Sequence, residues 1–318
     1  MTKSPATRRL PPWLRVSYRG GGAREEVRSL LRSLNLHTVC QSAQCPNLCQ
    51  CWQRGTATFM ILGDSCTRDC RFCAVPHTPP APPESDEPER VAEAAARLEL
   101  NYVVVTSVTR DDLPDGGANH FARTVRAIKA RRPGAGIEVL TPDFNGDSAA
   151  LKNVLDAGPT VFNHNLETCE RLTNEIRSGA DYRRSLGVLR AAADHVQASE
   201  RAFPFIKSGI MLGMGETRSE IHGMLRDLYG NGVRLLTVGQ YLPPSKSHWS
   251  LDRYVHPDEF EEWGRIAREM YGFTYVASAP LVRSSYMAEE GARTVQQHAC
   301  PGSGAADSSY TSTPRHGD

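Results

Sequence analysis

The stretch Thr56-Ala-Thr-Phe-Met-Ile-Leu62-Gly63-Asp64-Ser-Cys66-Thr-Arg-Asp-Cys70-Arg-Phe-Cys73 decides the fold. Its first seven residues are rich in types that suit a β-strand, and Gly63 ends the run. Three cysteines follow at once, spaced Cys-x3-Cys-x2-Cys. A tight loop with this spacing brings three thiolates to one side, one short of the four that normally hold a [4Fe–4S] cluster. The fourth iron is then free to bind something else. The commonest zinc pattern, two Cys-x2-Cys pairs with four ligands, is a different one. A cofactor loop directly after the first strand is where α/β barrels put their chemistry.

A second triad lies just upstream: Cys40, Cys45 and Cys51, at Cys-x4-Cys-x5-Cys. Seven of the nine cysteines fall between Cys40 and Cys73, and ordinary burial of thiols does not cluster them so. An odd cysteine count in a long chain with no signal peptide argues against a disulfide framework. Cys49, inside the first loop, reads as a bystander.

Downstream, strands and helices alternate. Strand-like runs cover 102–108, 136–141, 160–165, 205–212, 235–242 and 273–279; helix-like runs cover 88–98, 119–131, 148–156, 181–197, 218–229 and 257–270. Alternation of this kind makes a parallel sheet. With 56–62 it gives seven strands, one fewer than a closed barrel, so the expected fold is α/β: a partial, open (β/α) barrel of TIM type, with N- and C-terminal extensions covering its ends. No Gly-x-Gly-x-x-Gly follows a strand, which counts against a doubly wound dinucleotide fold. The expected organisation is an N-terminal arm and cysteine loop over 1–55, a barrel over 56–282 and a C-terminal segment over 283–318, disordered from about Gly302. In the arm, Trp13 and Leu14 should pack onto the body, ahead of an amphipathic helix over 24–34.

Polar residues gather where strands end, at Asn163–Thr168, Gly213–Thr217, Thr106–Asp112 and Gln240–Tyr241. In a barrel these face one mouth. Thr168 and Thr217 read as helix N-caps and Glu216 as an ordinary first-turn acid. His77 reads as a solvated loop residue, Cys169 as packing and Cys300 as inert. Asn165 and Glu167 flank a strand end that faces the site and are harder to dismiss.

Hydrophobic residues make up 40% of the 318-residue chain and charged residues 23%, the balance of a soluble globular protein. No apolar run approaches a membrane span. A net charge of +1 gives no global electrostatic case for nucleic acid. Cysteines kept as metal ligands imply a reducing interior, hence a cytoplasmic location, and the lack of a heptad seam favours a monomer.

The cysteine loop with Phe72 before its third cysteine resembles the signature of the radical S-adenosylmethionine superfamily. The upstream triad and the blocks VTRDDLPDGG, HNLET, KSGIMLG, GQYLPPS and VRSSY narrow the resemblance to the lipoyl synthase family, from roughly Trp13 to Ala288. The resemblance implies that Cys66, Cys70 and Cys73 hold a [4Fe–4S] cluster whose open iron chelates S-adenosylmethionine, from which one electron releases a 5′-deoxyadenosyl radical. It implies that Cys40, Cys45, Cys51 and Ser285 hold an auxiliary [4Fe–4S] cluster that is consumed as the sulfur donor. Two sulfurs then enter C6 and C8 of an octanoyl chain on a lysine of a lipoyl carrier protein. Position further suggests Asn165 and Glu167 for the ribose or methionine part of S-adenosylmethionine, and Arg177 or Arg183 for its carboxylate. The implied partners are octanoylated acyltransferase subunits of 2-oxoacid dehydrogenases, the glycine cleavage H protein, a flavodoxin or ferredoxin as electron donor, and an iron–sulfur carrier that rebuilds the auxiliary cluster. Where the family has glutamate after its first auxiliary cysteine, this chain has Gln41 and Ser42, which bears on that cluster's redox tuning.

Two rivals stand beside this reading. A methylthiotransferase also carries two clusters but usually adds a nucleic-acid module, and no basic or aromatic-rich extra domain is visible. A zinc module would leave the barrel-sized body unexplained.

Overall fold

The computed structural model describes residues 10–15, 22–39, 56–199, 204–286 and 288–299. Its centre is an eight-stranded sheet in strict sequence order: β1 (His37–Thr38), β2 (Thr56–Ile61), β3 (Tyr102–Ser107), β4 (Gly136–Leu140), β5 (Val161–Asn163), β6 (Phe205–Leu212), β7 (Leu235–Gln240) and β8 (Tyr275–Ser278). The pairings from β2 to β8 are all parallel, and β1 joins β2 antiparallel. The sheet curls but does not close, the partial barrel expected. Seven of its strands were legible as runs; β1, only two residues long, was not.

Parallel strands covered on both faces read as continuous apolar runs, and β2 is buried at every position. α1 (Gly22–Ser33) precedes β1, and the crossovers carry α2 (Glu87–Arg97), α3 (Ala118–Arg131), α4 (Ser148–Asp156), α5 (Glu170–Ile176), α6 (Tyr182–Ala198), α7 (Arg218–Gly230) and α8 (Pro257–Ile266). Their starts follow side-chain capping chemistry. Asp147 accepts from the amides of Ala149 and Ala150, Asp181 from that of Arg184, and Thr217 forms a reciprocal box with Glu220. At the arm, Leu14 is buried and the Trp13 ring meets His256 edge-on at 5.0 Å.

Two local expectations change, and one helix was not foreseen. Thr168 does not cap a helix: Cys169 holds that position, and the buried Thr168 hydroxyl has no partner among the described residues. Glu216 precedes the helix, and its carboxylate accepts from the amides of Gly213 (2.7 Å) and Met214 (2.9 Å), clamping the loop after β6. The final helix, α9 (Ala288–Ala299), packs Ala288 and Ala292 against Tyr102, Val104 and Val161, with Phe205 alongside. It covers the end where strands begin. Beneath it Glu138, fully buried, receives Lys207 (2.8 and 3.0 Å), Asn163 (2.9 Å) and Tyr102 (3.2 Å), which satisfies the charge it carries into the barrel. Among the described residues no helix is long and apolar enough to cross a membrane.

Candidate active site

A cavity of about 380 Å³ opens at the strand ends. The loop after β2 brings Cys66, Cys70 and Cys73 to its wall, and Phe72 joins them. Asn165, Glu167 and Arg177, from beyond β5, stand on the same lining, and Ser284 and Ser285 reach it from the chain after β8. Residues more than 200 positions apart thus share one chamber, as the strand order requires.

The cysteine loop is held from several sides. Cys66 Sγ accepts from the amides of Arg68 (3.4 Å) and Thr109 (3.2 Å), the donors a thiolate uses. The Arg71 amide donates to the Ile176 carbonyl, and the Cys66 amide to that of Pro76. His77, exposed as expected, does have a partner: its Nδ1 donates to the Cys66 carbonyl at 3.1 Å. Burial pushes the Cys70 thiol up to about 12, against the pull of Arg177 and with a further push from Cys73 and Cys66; burial also raises Cys73. Three crowded thiols of this kind become thiolates when a cation takes their protons' place. All four described cysteines are free thiols.

The donor set fits a polynuclear cluster. Among the described residues no three Cys, His, Asp or Glu side chains come together closely enough to hold a single ion. A cubane takes one thiolate at each of three iron corners, and the three free thiols on this wall are that donor set. The cavity also fits a polar ligand. Ser107 Oγ, Thr141 Oγ1, His164 Nε2 and Asn165 Oδ1 are buried, without hydrogen-bond partners among the described residues, on residues that line this wall. Orphaned polar atoms at this density await a bound partner. Glu167, half-buried at φ +66°, adds a carboxyl group whose pKa is raised by desolvation against the opposing charge of Arg177, which itself donates to the Leu166 carbonyl at 3.0 Å. Backbone strain of this kind collects at functional sites.

Arg183 stands elsewhere. Its exposed guanidinium makes a two-pronged pair with Glu170 at 2.7 and 2.8 Å, outside the cavity lining. Of the two arginines considered for a carboxylate, only Arg177 reaches the site. Cys169 is buried packing, as read. Cys40, Cys45, Cys49, Cys51 and Cys300 lie outside the described residues. Sequence reasoning missed Arg68, Ser284, His248 and Trp249; the VRSSY block pointed at Ser284, and the others act through contacts that no motif announces.

An open parallel barrel with a three-thiol loop at its mouth is the build of a radical S-adenosylmethionine enzyme, and residues 60–228 match the model of the Radical SAM superfamily. Residues 1–45 match the model of the N-terminal domain of lipoyl synthase. The lipoyl synthase of Methylococcus capsulatus is 53% identical over 288 residues, 90% of this chain and 88% of that protein. That of Caldicellulosiruptor saccharolyticus is 51% identical, covering 88% and 96%. The chain belongs to the lipoyl synthase family, whose members insert sulfur using S-adenosylmethionine and [4Fe–4S] clusters. Among solved structures the hydrogenase maturase HydG of Carboxydothermus hydrogenoformans superposes with a TM-score of 0.56 at 14% identity, over 86% of this chain and 69% of that one. Streptococcus suis SuiB bound to S-adenosylmethionine gives 0.54 at 12% identity over 80% of this chain, which spans 60% of the SuiB chain. At those identities the likeness is one of fold.

Proposed function

We propose that this chain inserts two sulfur atoms, at C6 and C8, into an octanoyl group carried on a lysine of a lipoyl carrier protein. The carrying observation is the shared chamber: three loop thiols, Glu167, Arg177 and the serines after β8 line one cavity. When bound on Cys66, Cys70 and Cys73, the cluster supplies the electron for reductive cleavage of S-adenosylmethionine. An octanoyl methylene has no proton acidic enough for a side-chain base, so this radical chemistry belongs to the cofactor. The protein's own part is binding, orientation and the exclusion of water. Arg177 is the cation for a carboxylate; Glu167 and Asn165 supply acceptors for the ribose or amino group; Phe72 supplies an apolar surface beside them. Cys40, Cys45 and Cys51 with Ser285 would hold the auxiliary cluster that gives up its sulfur. A hydroxyl is a hard ligand where thiolates dominate, which suits an iron that must be released.

The organisation proposed is an arm with the auxiliary loop over 1–55, the barrel over 56–282 and the serine segment over 283–318. Acyltransferase subunits of 2-oxoacid dehydrogenases and the glycine cleavage H protein are the carriers proposed. A flavodoxin or ferredoxin would deliver electrons and an iron–sulfur carrier would rebuild the auxiliary site, with the enzyme a cytoplasmic monomer. The test is iron and sulfide content after anaerobic reconstitution. About eight irons, falling to about four in the Cys66/Cys70/Cys73→Ala variant, are expected. About four irons falling to none would remove the donor and overturn the reading.

A further inference from the structure

The barrel interior is built in rows. Met60 of β2, Thr106 of β3 and Leu140 of β4 are register partners in turn, and all three line the chamber. Asn163 of β5 completes the row and donates to Glu138, two residues below Leu140 on the same strand. Thr58, two residues further down β2, also lines the chamber, while Val104 and Val161 of that lower row pack under α9.

Barrels of this kind normally fill their interior with branched apolar side chains. Here the upper row is left open. Leu140 is only half-buried, the one leucine of the described strands that is not buried, and it stands outside the packed core. The Thr106 hydroxyl is already spent on the Leu140 carbonyl at 2.9 Å, so Met60 and Leu140 make the surface this row offers one of hydrocarbon. Below it stands the buried Glu138–Lys207 ion pair, which an alkyl chain could pass only by breaking it.

An octanoyl chain carries no polar group between its amide and its methyl end, so its position in a site can be read only from those two ends. We infer that Met60 and Leu140 are specificity-determining residues: they form the floor on which the methyl end of the acyl chain rests, and the carbons that lose hydrogen are counted from that end. This rests on the proposed reading that an octanoyl-lysine is the substrate. An apolar pocket that reads a single methylene discriminates by about 10- to 200-fold.

The experiment uses the full chain, reconstituted anaerobically, with S-adenosylmethionine and peptides whose lysine bears a hexanoyl, octanoyl or decanoyl chain. Calorimetry without reductant reads affinity. Relative to wild type, Leu140→Ala should shift preference toward the decanoyl peptide and Leu140→Phe toward the hexanoyl peptide, each by about 10-fold. Opposite shifts from one position separate a measuring floor from general damage to the fold. With dithionite added, single-carbon deuterium labels recovered in 5′-deoxyadenosine report which carbon is attacked. Wild type should take deuterium from C8 and C10 of the decanoyl chain, the same distance from the methyl end as C6 and C8 of octanoyl. Attack fixed at C6 and C8 of the decanoyl chain, or an unchanged order of affinities in both variants, would overturn the inference and leave sulfur insertion standing. The absence of any sulfur-bearing product from the octanoyl peptide in wild type would overturn the proposed function, and the inference with it.

Discussion

Arg68 and Asp143 meet in a buried ion pair behind the cysteine loop, Nη2 to Oδ1 at 2.8 Å. The same guanidinium takes both oxygens of Asp111 at 2.7 and 2.8 Å and Asn145 Oδ1 at 2.9 Å, tying the loop to the turns after β3 and β4. Gly179 leaves the space, since a Cβ there would lie 3.3 Å from Arg68 Cδ. Removing one partner of a buried pair costs about 3–5 kcal/mol, and Arg184 still contacts Asp143 at 2.8 Å, so the lower end applies. Arg68→Ala should therefore lose about 3 kcal/mol of stability and fail to retain the first cluster. Arg68→Lys keeps charge without the fork and should recover only part of both. Thermal melts and iron content check this; wild-type iron in Arg68→Ala would refute the clamp.

His164 gives a pH dependence with a definite sign. Burial lowers its pKa to about 4, Arg177 pushes the same way, and the Nδ1–H bond to the Thr141 carbonyl (2.9 Å) opposes. The unfolded imidazole takes a proton near pH 6.5 while the folded one resists. The stabilising contribution is present above about 6.5 and is lost as pH falls toward 4, reaching on the order of 3 kcal/mol at the acid end. Histidine NMR should find one imidazole still neutral at pH 5. His164→Gln should flatten the acid limb of the stability profile; an unchanged limb would show that other groups set it.

Leu62 is a non-glycine residue at φ +68°, directly before the cysteine loop. Its amide donates to Glu87 Oε2 (2.8 Å), which also contacts His120 Nε2 (2.7 Å), and its carbonyl accepts from Arg110 (3.1 Å). Gly117 makes the room: a Cβ there would come within 2.4 Å of Leu62 Cδ1, at a backbone φ of +88°. Gly117→Ala should cost about 1–3 kcal/mol through overpacking and strain together. It should also lower loading of the first cluster while leaving the upstream one alone. A melt indistinguishable from wild type would mean the turn can relax.

How much of this was legible follows from what each residue depends on. The seven main strands and most crossover helices announced themselves because period and capping are local. Ser148–Asp156 and Phe205–Leu212 were read to the residue. The helix over 288–299 was missed because small alanines, Ala288 and Ala292, make its buried contact, so no stripe of large apolar residues marks it. Glu170–Ile176, under two turns long, offered too short a period. Glu216 shows the converse error: an acid beside a helix start looks like dipole chemistry until the loop it clamps is seen. Cys66, Asn165 and Glu167 were found by motif and strand end. Arg68 was invisible because its worth lies in Asp111 and Asp143, residues brought to it only by the sheet.

Trp249 supplies the last expectation. After β7 the chain doubles back over the cysteine loop: the Trp249 amide donates to the Arg71 carbonyl (2.7 Å) and His248 Nε2 donates to that of Cys73 (3.0 Å). The indole is anchored by Nε1 to the Met214 carbonyl (2.9 Å), and Arg71 stacks over the ring at 4.6 Å. Tyr241 OH holds the Trp249 carbonyl at 2.7 Å. The shell packed around an iron–sulfur site controls the access of solvent to it, and this segment packs on the cysteine loop itself. Trp249→Ala removes the ring, a hydrogen bond of about 1 kcal/mol and a cation–π contact of about 0.5–1 kcal/mol. The strap should loosen, and bleaching of the iron–sulfur absorbance in air should quicken several-fold after reconstitution. Trp249→Phe keeps the apolar cover and should bleach at close to the wild-type rate. Equal rates in Trp249→Ala and wild type would mean that the barrel wall alone shields the cluster.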